Sequence, residues 1–143
     1  MKWWAVDGKP LLDLGNGYKL QLSGYGRLAV VGGGTTVLVP SSKTLYDATQ
    51  QWYHLAYVYD DGVYRLYVNG QLLLEYPYVG PPSTDGLRIG KASIAYDIFF
   101  DGLMDGLTIF KRALSTAEVQ AQINRAELIR TAVEAVSGLL KVE

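Results

Sequence analysis

Short alternations of apolar and polar residues follow one another from the N-terminus to about residue 110, and the pattern then changes. The alternation predicts strands at Lys2–Val6, Leu11–Leu14, Tyr18–Leu22, Arg27–Val31, Thr35–Val39, Trp52–Tyr59, Tyr64–Val68, Gln71–Tyr76, Leu87–Ile89 and Leu103–Phe110. Asp7-Gly8, Gly15-Asn16-Gly17, Asp61-Gly62 and Asn69-Gly70 separate them, residues that accept the positive φ angles of tight hairpins. Asn69-Gly70, between "YRLYV" and "QLLLEY", is the strongest hairpin signal. Many short strands without intervening helices predict an all-β, antiparallel sandwich rather than βαβ units.

After Leu114 the period lengthens. Ser115 and Glu118 form the capping-box pattern that opens a helix. Val119, Ile123, Ala126, Ile129, Val133, Val136 and Leu140 then recur at steps of three or four, one apolar stripe along a C-terminal α-helix. The chain is thus expected to divide into a sandwich over 1–114 and an amphipathic helix over 115–143. The spacing of Ile129, Val133, Val136 and Leu140 also suits a bundle seam between subunits. The helix is therefore expected either to pack on the sandwich or to mediate oligomerisation.

Composition narrows the function. With 143 residues and 49% hydrophobic content the chain can bury a core. Its 13 basic residues are scattered and its net charge is −1, which argues against nucleic acid as a partner. There are no cysteines, so disulfides and thiolate metal sites are excluded. The sequence has no apolar run long enough for a membrane span, and "MKWWAVDGKPLL" lacks the apolar stretch of a secretory signal. Synthesis in the cytoplasm is expected, with a virion or an extracellular surface as the destination after release.

Chemistry candidates are few. Asp101 and Asp105 lie four residues apart, about 13 Å in an extended chain. Paired glycosidase carboxylates stand about 5 to 9.5 Å apart, so neither a shared substrate atom nor a shared ion fits an extended segment. Asp105 shares strand parity with Leu103, Leu107 and Ile109 and is expected to face inward. Backbone N–H groups or Arg112 would then satisfy it, a structural role. His54, the only histidine, is expected to be a strand residue hydrogen-bonded through its ring. "GGGTT" (32–36) and "GNG" (15–17) lack the Lys-Ser/Thr of a phosphate loop and read as turns. Tyr57, Tyr76 and Tyr78 supply rings on which a sugar or a protein could stack. No catalytic constellation, cofactor or metal site is expected, and nothing supports a structural calcium.

The residues also carry a resemblance. "QWYHLAYVYDDGVYRLYVNGQLL" (51–73), "LRIG" (87–90) and "FFDGLMDGLTIFKRALSTAEV" (99–119) are similar to LamG-like jelly rolls of the concanavalin A-like superfamily. Trp52, His54, Asn69, Gly70, Gly102, Asp105, Arg112, Ser115 and Glu118 are among the matching positions. The resemblance implies a concanavalin A-like jelly-roll sandwich. In that fold an early strand lies beside "GLTIF", and family members usually have further strands before the one that "KWWAV" resembles. That edge would need a cover, from the added helix or from a neighbouring subunit. The superfamily's glucanases resemble one another through a Glu-x-Asp-x-x-Glu strand, which is missing here. A non-catalytic structural or assembly module, such as a virion decoration or tail component, is expected. A lectin-like carbohydrate-binding module is the alternative.

Overall fold

The computed structural model describes residues 8–15, 18–23, 27–32, 35–38, 52–77, 86–91 and 99–139. The expected strand Lys2–Val6, the ring of Tyr78 and Leu140 lie outside the described residues, as do the side chains of Val133 and Val136. Eight strands and one helix follow in order: β1 (Lys9–Gly15), β2 (Tyr18–Ser23), β3 (Arg27–Gly32), β4 (Thr35–Leu38), β5 (Leu55–Asp60), β6 (Val63–Val68), β7 (Gln71–Pro77), β8 (Arg88–Ile89) and α1 (Thr116–Leu139). All pairings between these strands are antiparallel. They form a five-stranded sheet in the order β4-β3-β2-β1-β8 and a three-stranded sheet in the order β5-β6-β7. The described residues within 1–52 and 79–103 form one compact unit, and those within 53–78 and 104–143 form another.

In the five-stranded sheet the alternation read from the sequence becomes two faces. Leu20 lies opposite Val30, and Leu22 opposite Leu28, on the apolar face. Leu20, Leu28 and Val30 are buried there. The other face carries two buried polar side chains, Asp13 and Gln21. Asp13 Oδ1 accepts the Gly15 N–H at 2.8 Å, which satisfies an otherwise costly buried carboxylate and closes the end of β1.

The three-stranded sheet is a meander with two two-residue turns. Asp61 and Gly62 have φ of 42° and 81°, and Asn69 and Gly70 have 47° and 78°. Both central residues of each turn are left-handed, the geometry whose twist matches the flanking strands. A bulge between Leu66 and Tyr67 shifts the β6–β7 register, so that Leu66 faces Leu74 while Tyr67 faces Leu72. One face presents Ala56, Val58, Arg65, Tyr67 and Glu75, and the other presents Tyr57, Tyr59, Tyr64, Leu66 and Tyr76.

The helix seats its first two turns on the first of these faces. Val119 is fully buried with Val58 and Tyr67, beside Ala56, Ala113 and Leu114. Ile123 is buried as well. A side chain at Gly70 would meet Ile123 Cδ1 at 2.9 Å and press still closer on Gln120, so α1 lies directly on the β6–β7 turn. Beyond Ile123 the stripe is no longer covered among the described residues. Ala126 is exposed, and Leu128 and Ile129 are 72% and 57% exposed.

One expected element is not formed. Residues 103–110 make no strand, and Leu103, Leu107 and Ile109 are exposed rather than inward-facing. Gly106 has φ of 63°, which turns the chain in the middle of the expected strand. Local bonds then hold the turn: the Gly106 N–H donates to Asp105 Oδ1 at 2.7 Å, and Thr108 Oγ1 donates to the Gly106 carbonyl at 3.3 Å. The helix leaves this segment uncovered.

Candidate functional site

The best-defined cluster of polar side chains lies where α1 begins. Ser115 and Glu118 cap each other: the Ser115 N–H donates to Glu118 Oε2 at 2.8 Å, and the Glu118 N–H donates to Ser115 Oγ at 3.3 Å. This reciprocal box satisfies the N–H groups of Ser115 and Glu118, two donors that a helix start otherwise leaves without an intrahelical partner. Arg112 then grips the same carboxylate from outside with a two-pronged contact, Nη1 to Oε2 at 3.0 Å and Nη2 to Oε1 at 2.5 Å. It also donates to the Ala113 carbonyl at 3.1 Å. The Arg112 hydrogen bond, helped by Ser115, lowers the Glu118 pKa to about 2. Arg112 is thus committed to Glu118, and of the two donors expected for Asp105 it is a backbone N–H, that of Gly106, that serves it. Asp105 is an exposed turn residue bonded to its neighbour's amide.

A second row of charge crosses the sheet beside this cap. Arg65 donates from Nε to Glu75 Oε2 at 2.7 Å and reaches Asp60 Oδ2 at 3.5 Å. The bulge in β7 makes the pairing possible, because it brings Glu75 rather than Leu74 opposite Arg65. Between this row and the helix start lies an open groove of about 480 Å³. Asp60, Arg65, Tyr67, Ala113, Leu114, Ser115, Thr116 and Glu118 line it. The Tyr67 hydroxyl is held at 3.2 Å from Thr116 Oγ1. Such a groove offers carboxylates and hydroxyls to a polar ligand. Its one lining arginine, Arg65, is already held by carboxylates, and among the described residues no group of three or more metal-ligating side chains occurs. Sequence reasoning missed this groove because its lining comes from two stretches far apart in the chain, 60–67 and 113–118.

The tyrosines gather on the opposite face of the meander. Tyr57 stacks on Tyr64 with ring centroids 5.1 Å apart and planes 11° apart, and Tyr59 tilts against the same ring at 4.7 Å. Tyr76 lies opposite Tyr64 in the register. Tyr57 and Tyr76 are half-buried, so the structure brings these two candidates onto one face.

The remaining candidates stand apart. Asp101 pairs with Lys9 Nζ at 3.6 Å at an exposed position. His54 precedes β5, and its backbone closes the meander: its N–H donates to Asn69 Oδ1 at 2.9 Å and its carbonyl accepts the Asn69 N–H at 2.8 Å. Its ring does not make the expected hydrogen bond. Nδ1 is buried without a partner among the described residues, and burial lowers the imidazole pKa below 6.5. Ile129 is exposed on α1, away from the packed turns. Among the described residues no helix is long and apolar enough to cross a membrane.

A comparison with curated proteins gives no match. Among solved structures, the chain is similar to residues 221–444 of an S-layer domain-containing protein from Clostridium thermocellum. The identity is 22% and the TM-score 0.48, over 86% of this chain. The match spans 66% of that chain, just under two thirds of its length. The family model described as the concanavalin A-like lectin/glucanases superfamily matches residues 4–120. The match takes in both antiparallel sheets and the capped start of α1. With two antiparallel sheets and a C-terminal helix among its described residues, the chain belongs to the concanavalin A-like lectin/glucanases superfamily.

Proposed function

We propose that this chain is a non-catalytic structural module of the LamG-like type, and that α1 beyond Ile123 joins it to a protein partner, with another copy of itself the simplest case. One observation carries the reading: the helix continues from residue 124 to Leu139, about 24 Å at 1.5 Å per residue, with Leu128 and Ile129 exposed. A helical segment of this length is marginal in water on its own and draws most of its stability from packing. The exposed side chains of Leu103, Leu107 and Ile109 add a second apolar surface. A surface-exposed assembly suits these features, and a virion decoration or tail component is the specific form we favour. The test is light scattering at micromolar concentration on the full chain and on a chain lacking 124–143. The expected result is an oligomer that reverts to a folded monomer on truncation. A monomeric full chain, or an oligomer indifferent to truncation, overturns the reading.

The clustering of Tyr57 and Tyr76 with Tyr59 and Tyr64 favours one second reading, a lectin-like module that stacks a sugar on the half-buried rings of Tyr57 and Tyr76. A glycan array that detects binding by the full chain and loses it in Tyr76→Ala supports this reading; an array without a hit removes it.

A further inference from the structure

Three features of the second unit meet at one point. The backbone of His54 is bonded reciprocally to Asn69, at 2.8 and 2.9 Å. The next residue, Gly70, forms the floor on which Gln120 and Ile123 of α1 rest. The His54 ring is half-buried, with Nδ1 enclosed and unpartnered among the described residues. We propose that His54 is an acid-sensitive latch: with its ring neutral and seated, the His54 backbone holds the Asn69-Gly70 turn beneath α1, and protonation of the ring loosens the seat of the helix.

The physical basis is the donor count. Neutral imidazole has one N–H, whereas the protonated ring has two and a charge as well. At the enclosed Nδ1 no acceptor among the described residues receives the second proton. The charged ring is therefore better accommodated in water than in its seat. Its withdrawal shifts the chain that carries both Asn69 bonds, and so the turn that α1 lies on. Among the described side chains, the charged groups of β5, β6, β7 and α1 are Asp60, Arg65, Glu75, Glu118, Arg125 and Glu127. None of these holds the ring in its charged form, since burial is the sole cause of its lowered pKa. The sign follows. A group with a lowered folded pKa stabilises the seated state fully above 6.5, and that contribution is lost as pH falls below 6.5. The latch concerns only contacts inside this unit and does not depend on the proposed assembly role.

The test is amide hydrogen exchange of residues 119–123, expressed as protection factors at pH 7.5 and pH 5.0. It would be run on the full chain and on His54→Phe and His54→Gln. Both pH values lie above the range in which Glu118 titrates, which keeps that group silent. In the native chain protection should fall several-fold at pH 5.0. The ceiling is about 30-fold, set by the ordinary pKa of a released imidazole. In both variants the fall should vanish. An NMR titration of the native imidazole supplies a readout that needs no variant, with its midpoint expected below 6.5. A midpoint at or above 6.5, or an equal loss of protection in the variants, overturns the proposal.

Discussion

The start of α1 and the segment 103–110 are separated by only a few residues and were both expected to be regular structure, yet only one is. At residues 112–119 every decisive contact is local or reaches one neighbouring sheet. Ser115 and Glu118 cap each other, Arg112 braces the cap, and Val119 drops into a pocket already formed by Val58 and Tyr67. Residues 103–110 are as apolar and alternate as well, but a strand must have a ladder partner. Among the described residues it has none, and a glycine turn with its own side-chain bonds takes its place. The difference teaches that a helix cap is written in adjacent residues, whereas a strand is a property of two segments.

Substitutions can break that comparison at both ends. Val119→Asp puts a charge where the side chain is fully buried and should cost on the order of 3–5 kcal/mol. Leu107→Asp, at an exposed position, should stay within about 0.5 kcal/mol. Urea unfolding of the two variants measures the contrast, and equal losses would mean that 103–110 is packed after all. A smaller pair compares two glycines of similar φ. Gly70→Ala combines a left-handed backbone with a clash against Ile123 and should cost roughly 2–3 kcal/mol. Gly106→Ala meets nothing within 4 Å and should carry only the backbone cost, about 1–2 kcal/mol.

The cap itself gives the next step down. Ser115→Ala should lower stability by about 1 kcal/mol, with a matching loss of melting temperature. The smallest effect is a pH dependence. The Glu118 pKa is depressed from 4.5 to about 2, so its contribution is fully present above 4.5 and is lost as pH falls towards 2. Thermal melts between pH 5 and pH 2.5 should show this slope in the native chain and a shallower one in Glu118→Gln.

Much of the fold was legible for the same reason that the cap was. Asp61-Gly62 and Asn69-Gly70 announce two-residue turns, and those turns set the pairing of β5, β6 and β7. The capping box announces the start of α1 to the residue. The groove was not legible, and its cause can be named. Counting outward from Asn69-Gly70 places Arg65 opposite Leu74, and only the bulge at Leu73 moves Glu75 into reach. A bulge leaves no mark in the sequence at that position. Asp105 was expected to face inward from a strand, whereas the turn at Gly106 leaves it exposed with a backbone N–H as its donor, and Arg112 serves Glu118. His54 was read as a ring-bonded strand residue, whereas it is its backbone that bonds, to a turn asparagine fifteen residues away.

The order in which this unit is made has a consequence of its own. The meander needs only its two tight turns to pair β5, β6 and β7, and such local contacts close quickly. Its lid, Val119 and Ile123, is encoded more than fifty residues after Tyr67. At 5–20 residues per second, the growing chain carries a finished three-stranded sheet with an open Val58–Tyr67 face for roughly 2–9 s before Val119 and Ile123 are synthesised. For that interval the sheet is a nascent surface that other chains, or a chaperone, can reach, and it is closed only when Val119 and Ile123 arrive.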